Sequence, residues 1–294
     1  MSHQNFCTGF IRSGVRLASR ILYRVLSPAR CTRLASTRLG NAIGKIIAPS
    51  HDAVYACAHG IKLRLSREDA ITSGVAYMGQ TNPLETGLLF RFLRPGDTVI
   101  EIGTYKDGWL ALVSSGIVGP TGHVICFEPM PAYCQAFRQN VELNGRNNIF
   151  VEQLAVSDTV GTATFSMCST NSSLVLSRDA SSQTIAVQTT TLDSYFAAHR
   201  VDSVALAIID AEGAETRIIQ GATQVLSRTT HLLVEVVDAF CRQAGTTADG
   251  LIREISASGF TPFVITRGGL VQYEPGKQSE TMNMFFVREG ADHR

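Results

Sequence analysis

Several features that mark other classes of protein are missing from this sequence of 294 residues. No apolar run approaches the roughly 20 residues that a membrane-spanning helix requires. The cysteines lack C-x-x-C spacing, which argues against a zinc site and against a disulfide framework. The G-x-G-x-x-G turn of dinucleotide-binding sheets is also missing, and this argues against a site for a nucleotide pyrophosphate.

Acidic residues are missing from one region, residues 1–50, which hold eight of the 26 Lys and Arg residues. The remaining chain has 18 basic residues (26 minus 8) and 25 acidic ones, a net charge of −7. This balance argues against nucleic acid as a partner. A hydrophobic content of 45% with 17% charged residues is typical of a globular protein. The seven cysteines are scattered and odd in number, so we expect reduced thiols and a cytoplasmic location.

The basic N-terminal segment has an arginine at every fourth position, at Arg12, Arg16, Arg20 and Arg24. Apolar residues at spacings of three and four lie beside this stripe, and the pattern predicts an amphipathic helix. Such a helix over residues 10–26 suits peripheral contact with an anionic membrane. It also resembles an organelle transit peptide, or a helix packed on the domain with its arginines in water. We expect a basic helical extension over residues 1–50 and one domain over residues 51–294.

The most regular pattern runs from Asp97 to Pro129 and predicts a strand, a helix and a second strand. The predicted bounds are 98–102, 109–118 and 123–127. The first strand is short, apolar and β-branched, as a buried parallel strand would be. Open α/β sheets bind ligands at the carboxyl ends of their strands. We therefore expect a ligand near the turn from Gly103 to Gly108 and near Glu128.

Other apolar runs predict the rest of the architecture. The predicted strands are residues 60–66, 148–156, 162–167, 184–191, 204–209, 231–236, 261–265, 270–273 and 282–287, and residues 169–183 are predicted to be a loop. The predicted helices are residues 84–93, 131–144, 216–226 and 251–255. Alternating strands and helices followed by consecutive strands predict an open, mostly parallel α/β sheet with an antiparallel C-terminal edge.

Acidic side chains at the predicted strand ends indicate what kind of ligand this sheet would bind. Glu101 would repel a diphosphate but attract a cation, and Glu128 can accept hydrogen bonds from both hydroxyls of a ribose. Gly103 allows a ligand to approach the backbone closely. S-adenosylmethionine has a sulfonium, an ammonium and a ribose diol, so it fits these residues. The structural alternative is an α/β domain whose acidic residues lie there by chance.

A second acidic group follows the predicted strand 204–209. Asp210, Glu212 and Glu215 lie within six positions at the strand end and the helix start. Carboxylates stabilise a helix N-terminus electrostatically, which is the structural alternative for Glu212 and Glu215. Asp210 is less easily explained in this way, because the strand end faces the expected ligand crevice.

Several motifs occur together in one order: Arg94-Pro-Gly-Asp97, Glu101-Ile-Gly103, Phe127-Glu-Pro129, Ala155-Val-Ser-Asp158, Thr190-Thr-Leu-Asp193 and Asp210-Ala-Glu-Gly-Ala-Glu215. With Asn144, Gly221-Ala222 and Glu235, they make residues 60–288 resemble the FkbM family of S-adenosylmethionine-dependent methyltransferases. The chain departs from the family pattern at three places. Glu101 replaces the more usual Asp, the loop 104–108 is one residue longer, and Ile208 stands where Lys is common.

The resemblance implies a class I methyltransferase-like (Rossmann-like) fold with helices on both faces of the sheet. It implies methyl transfer from S-adenosylmethionine to a hydroxyl oxygen of a small molecule, sugar or glycolipid. Asp210 is the first candidate for the catalytic base and Glu212 the second. In a variant of this mechanism, Asp210 with Glu212, Glu235 or Asp238 holds a Mg²⁺ ion that lowers the pKa of the hydroxyl.

The residues expected to contact the cofactor are Glu101, Gly103, Thr104, Tyr105, Gly108, Glu128, Pro129, Ser157, Asp158 and Asp210. Ser157 and Asp158 are expected near the adenine. Two other functions stay open. One is a non-catalytic, methyltransferase-like binding protein tethered to a membrane through residues 10–26. The other is an NAD-dependent oxidoreductase, against which the glycine spacing and Glu101 argue.

Overall fold

A computed structural model describes residues 53–65, 79–167, 183–199, 201–275 and 281–291. The predicted N-terminal extension over residues 1–50 lies outside the described residues, as does most of the predicted loop 169–183. The described residues belong to two compact units. Residues 53–65, 79–83 and 139–145 make the first unit, and the other described residues make the second.

The first unit contains an antiparallel pair of strands, β1 (Ala53–Ala56) and β2 (Lys62–Leu65). Asparagine side chains hold the second strand. The Oδ1 atom of Asn140 accepts a hydrogen bond from the Arg64 backbone nitrogen at 2.7 Å. Asn144 accepts from the Lys62 nitrogen at 2.8 Å and donates to the Lys62 oxygen at 2.7 Å. The alternating pattern at residues 60–66 therefore corresponds to a strand, as predicted.

The second unit alternates strands and helices along the chain. Its strands are β3 (Thr98–Ile102), β4 (His123–Phe127), β5 (Ile149–Glu152), β6 (Ala155–Val156), β7 (Gly161–Met167), β8 (Gln183–Thr190), β9 (Val204–Ile209), β10 (Thr229–Val237), β11 (Phe260–Thr266), β12 (Gly269–Gln272) and β13 (Thr281–Arg288). The helices of the described chain are α1 (Pro83–Phe92), α2 (Trp109–Val118), α3 (Pro131–Leu143), α4 (Leu192–His199), α5 (Glu215–Gln220), α6 (Thr223–Ser227), α7 (Asp238–Gln243) and α8 (Ala248–Ala257).

Eight of the described strands form one sheet in the order β12-β11-β13-β10-β9-β3-β4-β5. The pairs from β10 to β5 are parallel, whereas β13, β11 and β12 pair in antiparallel fashion at the other edge. This confirms the predicted open, mostly parallel sheet with an antiparallel C-terminal edge. The chain runs outward from β3 through β4 to β5, then returns to the other side of β3 as β9. The ends of β3 and β9 therefore form the topological switch point of the sheet, where such folds bind ligands.

Both faces of the sheet are covered. On one face, Ile102, Ile209 and Val234 belong to an apolar cluster that includes Ile218 of α5 and Leu251 of α8. On the other face, the Phe92 ring of α1 packs against His231 and Phe285, with ring centroids 4.7 and 4.8 Å away. The indole nitrogen of Trp109, the first residue of α2, donates to the Thr86 hydroxyl of α1 at 2.9 Å.

Two predicted elements are wrong in their extent. The single strand predicted at residues 148–156 is split. Residues 149–152 join the large sheet as β5, and Ala155 and Val156 pair instead with β8, in a three-stranded sheet of order β6-β8-β7. The helix predicted at residues 216–226 is broken into α5 and α6 at Gly221 and Ala222.

The backbone is closely packed at the break between α5 and α6. A Cβ atom on Gly221 would lie 2.2 Å from the Ser157 carbonyl oxygen, so the backbone at the end of β6 occupies the space of a side chain. Within the described ranges, every helix is too short or too polar to cross a membrane.

Gly221 and Gly87 offer a matched test of this packing. We expect Gly221→Ala to reduce the free energy of unfolding by about 1–3 kcal/mol, because the new methyl group overlaps a backbone oxygen. Gly87 is exposed within α1, and nothing lies within 4 Å of a Cβ atom added there. Gly87→Ala should therefore increase stability by about 0.5–1 kcal/mol. Denaturant unfolding of both variants measures this, and equal stability of the two would contradict it.

Candidate active site

The switch point is a close contact between two strand ends. The Asp210 nitrogen donates to the Ile102 oxygen at 3.0 Å, and the Gly103 nitrogen donates to the Phe127 oxygen at 2.9 Å. Gly103 has a φ of 85°, and a Cβ atom there would lie 1.7 Å from the Asp210 carbonyl oxygen. Only glycine fits this position, so Gly103 brings the loop after β3 directly against Asp210.

Strand register places carboxyl groups from three neighbouring strands on one face of the sheet. Glu101 pairs with Ile208, and Ile208 also pairs with Leu233. Asp210 lies two residues after Ile208, and Glu235 lies two residues after Leu233. Because side chains alternate along a strand, Glu101, Asp210 and Glu235 share a face. We call these three residues, with Glu212, the acidic cluster.

The acidic cluster brings like charges close together. Carboxylate oxygens of Asp210, Glu212 and Glu235 all lie within 4.8 Å of one another. Two like charges 4 Å apart near a protein surface repel by about 4 kcal/mol. Burial and the neighbouring carboxylates therefore raise the pKa of both Asp210 and Glu235. The two carboxyl groups are close enough to share a proton.

Glu101 is the most deeply buried member, with 5% of its surface exposed. Burial, then the charges of Asp107 and Asp210, raise the pKa of Glu101 well above its ordinary value. Its Oε2 atom has no hydrogen-bond partner among the residues that the structure describes, and the same holds for Oε2 of Glu235. Buried polar atoms are rarely left in this state, because losing hydration without a new hydrogen bond is costly. A positively charged or proton-donating ligand would satisfy both.

A cap on the turn after β9 places Glu212. The carboxylate of Glu215 accepts hydrogen bonds from the Ala211 nitrogen at 2.9 Å and from the Gly213 nitrogen at 2.9 Å. Between these two residues, Glu212 has a φ of 51°, a left-handed conformation that few non-glycine residues adopt. Glu215 therefore has the structural role anticipated for it, and it holds Glu212 next to Asp210.

Three polar residues around the acidic cluster escaped the sequence analysis. Asn283 of β13 lies opposite Glu235, and its side-chain nitrogen donates to Oε1 of Glu85 at 2.9 Å. The charge of Glu85 contributes to the raised pKa of Asp210, and the charge of Asp107 contributes to that of Glu101. Asn283 could have been noticed in the sequence, because it is a polar residue inside the apolar run of β13. Only the sheet register shows that it lies opposite Glu235.

Glu128 lies at the end of β4 and forms the second part of the site. Its Oε1 atom accepts from the Met130 nitrogen at 2.9 Å, and its Oε2 atom accepts from the Tyr105 nitrogen at 3.1 Å. Each carboxylate oxygen can accept a second hydrogen bond. Burial raises the pKa of Glu128 to about 7, and the two backbone N–H groups oppose this shift. The loop from Gly103 to Tyr105 thus touches both Asp210 and Glu128.

Several residues of the loop 104–108 also make packing contacts. Tyr105 has a φ of 55°, and its ring meets the Tyr133 ring edge-on at 4.8 Å. The Lys106 ammonium lies 5.4 Å from the centre of the Tyr105 ring and 5.1 Å from that of Tyr133. Thr104 is buried. A Cβ atom on Gly108 would lie 1.8 Å from the Phe137 ring, so Gly108 accommodates the packing of α3.

The remaining predicted site residues, Ser157, Asp158, Pro129 and Asp238, are not members of the acidic cluster. The Ser157 hydroxyl donates to the Asp158 carboxylate at 2.9 Å after β6, in the three-stranded sheet. Pro129 is half-buried beside Glu128. Asp238 begins α7, and its carboxylate accepts from the Arg242 Nε atom at 2.5 Å and from the Ala248 nitrogen at 3.0 Å. Asp238 is not one of the three residues whose oxygens converge within 4.8 Å.

The fold and the candidate site define a class of protein: an open α/β sheet with an acidic cluster at its switch point. The chain belongs to the FkbM methyltransferase family, because the methyltransferase FkbM domain matches residues 101–261, more than half of its length. This confirms the resemblance noted in the sequence motifs.

Individual relatives are more distant. The protein-L-isoaspartate O-methyltransferase of Ignicoccus hospitalis is 41% identical over 59 residues, which cover 20% of this chain and 28% of that relative. The FkbM methyltransferase of Methylobacillus flagellatus KT is 14% identical with a TM-score of 0.41, over 74% of this chain and 53% of its own. The O-methyltransferase of Bacillus cereus in complex with SAH is 14% identical with a TM-score of 0.42, over 71% of this chain and 83% of its own.

The cap on the turn after β9 can be tested with two substitutions. Glu215→Ala removes every side-chain acceptor for the Ala211 and Gly213 N–H groups, and we expect a loss of about 1–3 kcal/mol of stability. Glu215→Gln keeps one acceptor oxygen and should lose less. Thermal and denaturant unfolding of both variants measure the difference. An alanine variant as stable as the wild type would show that the turn does not need this carboxylate.

Proposed function

We propose that this chain is an S-adenosylmethionine-dependent methyltransferase that methylates a hydroxyl oxygen. Membership of the FkbM family supports the reaction class. The observation that carries the proposal is the position of Glu128 and the acidic cluster, joined by the loop that begins at Gly103. One end of this site suits a ribose diol and the other suits a cation.

The carboxylates present fit this cofactor in two respects. The two free acceptor positions of Glu128 match two ribose hydroxyls, and its backbone hydrogen bonds fix the orientation of the carboxylate. The unpartnered Glu101 oxygen and the charge of Asp210 favour a ligand with positive charge. The same charges would repel the diphosphate of NAD, which argues against an oxidoreductase on this sheet.

Asp210 is the proposed base. S-adenosylmethionine supplies an electrophilic methyl group on a sulfonium centre. An alcohol is a poor nucleophile at neutral pH, so a carboxylate at the strand end would accept the proton that the acceptor hydroxyl loses as the oxygen–carbon bond forms. Burial, then the charges of Glu212 and Glu215, raise the pKa of Asp210 to about 7, whereas the hydrogen bond with Glu235 lowers it. A raised pKa makes a carboxylate a stronger base. His231 and His199 are not proposed as the base, and both rings pack against aromatic rings.

The acceptor is proposed to be a hydroxyl-bearing small molecule, sugar or glycolipid. Residues 51–294 have a net charge of −7, from 18 basic and 25 acidic residues. This charge favours a neutral or cationic acceptor over a nucleic acid, because a polyanion needs a basic surface.

The first test concerns Glu128. Ribose hydroxyls donate to the ionised carboxylate, and a pKa of about 7 means that the group becomes protonated as the pH falls below neutrality. We expect the affinity for S-adenosylhomocysteine to weaken by about fivefold from about pH 7 to about pH 6, because the ionised fraction of Glu128 falls by that factor. Glu128→Gln should bind more weakly and should depend less on pH than the wild type does. Calorimetric titration of both proteins measures this, and an unchanged affinity in the variant would remove Glu128 from the ribose site.

The second test concerns Asp210. We expect Asp210→Asn to reduce kcat/KM for methyl transfer by about 10²–10⁴-fold, because the amide cannot accept the proton. The assay follows transfer of labelled methyl groups to a panel of glycans and small hydroxyl compounds, with RNA as a further acceptor. Glu289→Gln, an exposed substitution, is the control and should keep full activity. Full activity of the Asp210→Asn variant would contradict the assignment of the base, and methylation of RNA alone would contradict the proposed acceptor.

A further inference from the structure

We propose that the acidic cluster is a binding site for one divalent cation, Mg²⁺ or Mn²⁺, held by Asp210, Glu212 and Glu235. The inference rests on the proposed function, because the cation would lie next to the proposed methyl-transfer site. Carboxylate oxygens are the ligands that these hard cations prefer. Oxygens of all three residues already lie within 4.8 Å of one another.

The arrangement is built from regular structure. Parallel pairing of Ile209 with Val234 places Asp210 and Glu235 side by side at the ends of β9 and β10. The Glu215 cap holds Glu212 in its left-handed conformation beside them. Two of the three candidate ligands therefore project from the rigid sheet, and the third lies on a turn fixed by backbone hydrogen bonds.

A separate observation points to a missing positive charge. Glu101 is 95% buried on the same face as Asp210, and its Oε2 atom has no hydrogen-bond partner within the described part of the chain. The charge of Asp210 is close enough to contribute to the raised pKa of Glu101. A cation at the cluster would offset the charge of this buried carboxylate without any change in the sheet.

Other carboxylates nearby already have structural partners. Glu215 caps the turn, Asp238 pairs with Arg242, and Glu85 accepts from Asn283. Asp210 and Glu235 share a hydrogen bond with each other, and neither caps a helix or a turn among the contacts that the structure describes. Their alignment is therefore better explained by a shared ligand than by helix or turn capping.

A bound divalent cation supplies positive charge that favours loss of a proton from a neighbouring hydroxyl. The residues of this chain would then divide two tasks. Asp210, Glu212 and Glu235 would hold the cation in place, and Asp210 would also face the acceptor. Glu101, which is buried on the same face of the sheet, would stabilise the positive charge of the cation.

The experiment is a titration of the purified full chain with Mn²⁺, followed by electron paramagnetic resonance of the free ion and by calorimetry. The wild-type protein should bind one Mn²⁺ saturably, in competition with Mg²⁺. Glu235→Gln and Glu212→Gln should each weaken binding by at least about tenfold, since even neighbours of metal ligands have effects of this size. The Glu289→Gln control should bind as the wild type does. Glu212 lies on a turn and is only half-buried, so its variant tests the site if Glu235→Gln fails to fold.

Binding of S-adenosylhomocysteine in the presence of EDTA separates this proposal from the proposed function. Saturable Mn²⁺ binding that both variants weaken supports the cation site. Absence of saturable Mn²⁺ binding to the wild type, or an affinity equal to that of the wild type in either folded variant, overturns it. If S-adenosylhomocysteine still binds in EDTA in that case, the cation site fails and the proposed methyltransferase stands. If neither ligand binds, both proposals fail.

Discussion

Burial of carboxylates on one face of a parallel sheet is the constraint on which the site depends. Glu101 is buried in the sheet, and its neighbours on the flanking strands are Ile208 and Cys126. An isoleucine offers neither a charge nor a hydrogen bond. The carboxyl group must therefore be protonated or meet a positive charge from outside the strand pair. The raised pKa of Glu101 and its unpartnered oxygen are two consequences of this one arrangement.

Main-chain contacts hold these like-charged side chains in place. Gly103 lets the loop after β3 lie against the Asp210 carbonyl, and the same loop supplies the Tyr105 nitrogen to Glu128. Glu215 fixes the turn that holds Glu212. Asp210, Glu128 and Glu212 are thus each positioned by main-chain contacts nearby. The sheet beneath them provides a rigid base. Rigid support of this kind is what a site needs when its charged groups repel one another.

The sequence predicted the sheet and the place of its site because both follow from local patterns. A strand–turn–helix–strand unit ending in Glu128 implies a crevice at the strand ends, and the apolar run before Asp210 implies a neighbouring strand. The details that could not be predicted depend on distant contacts. The end of β6 at Ser157 packs closely against Gly221, where the helix is interrupted. The sheet register that brings Asn283 to Glu235 is set far along the chain. Gly108 looked like part of a ligand loop, but Phe137 fills the space beside it.

The residue at position 208 decides how the family pattern should be interpreted in this chain. Lysine is common there in the FkbM pattern, and the register shows that a side chain at 208 faces Glu101 directly. A lysine would place its ammonium near the buried carboxylate and satisfy it within the protein. Ile208 leaves that charge unbalanced but does not alter Asp210, whose position depends on the strand end and on Gly103. In the proposed site, a bound cation would therefore balance Glu101 in place of a lysine at position 208, and the proposed base would keep its position.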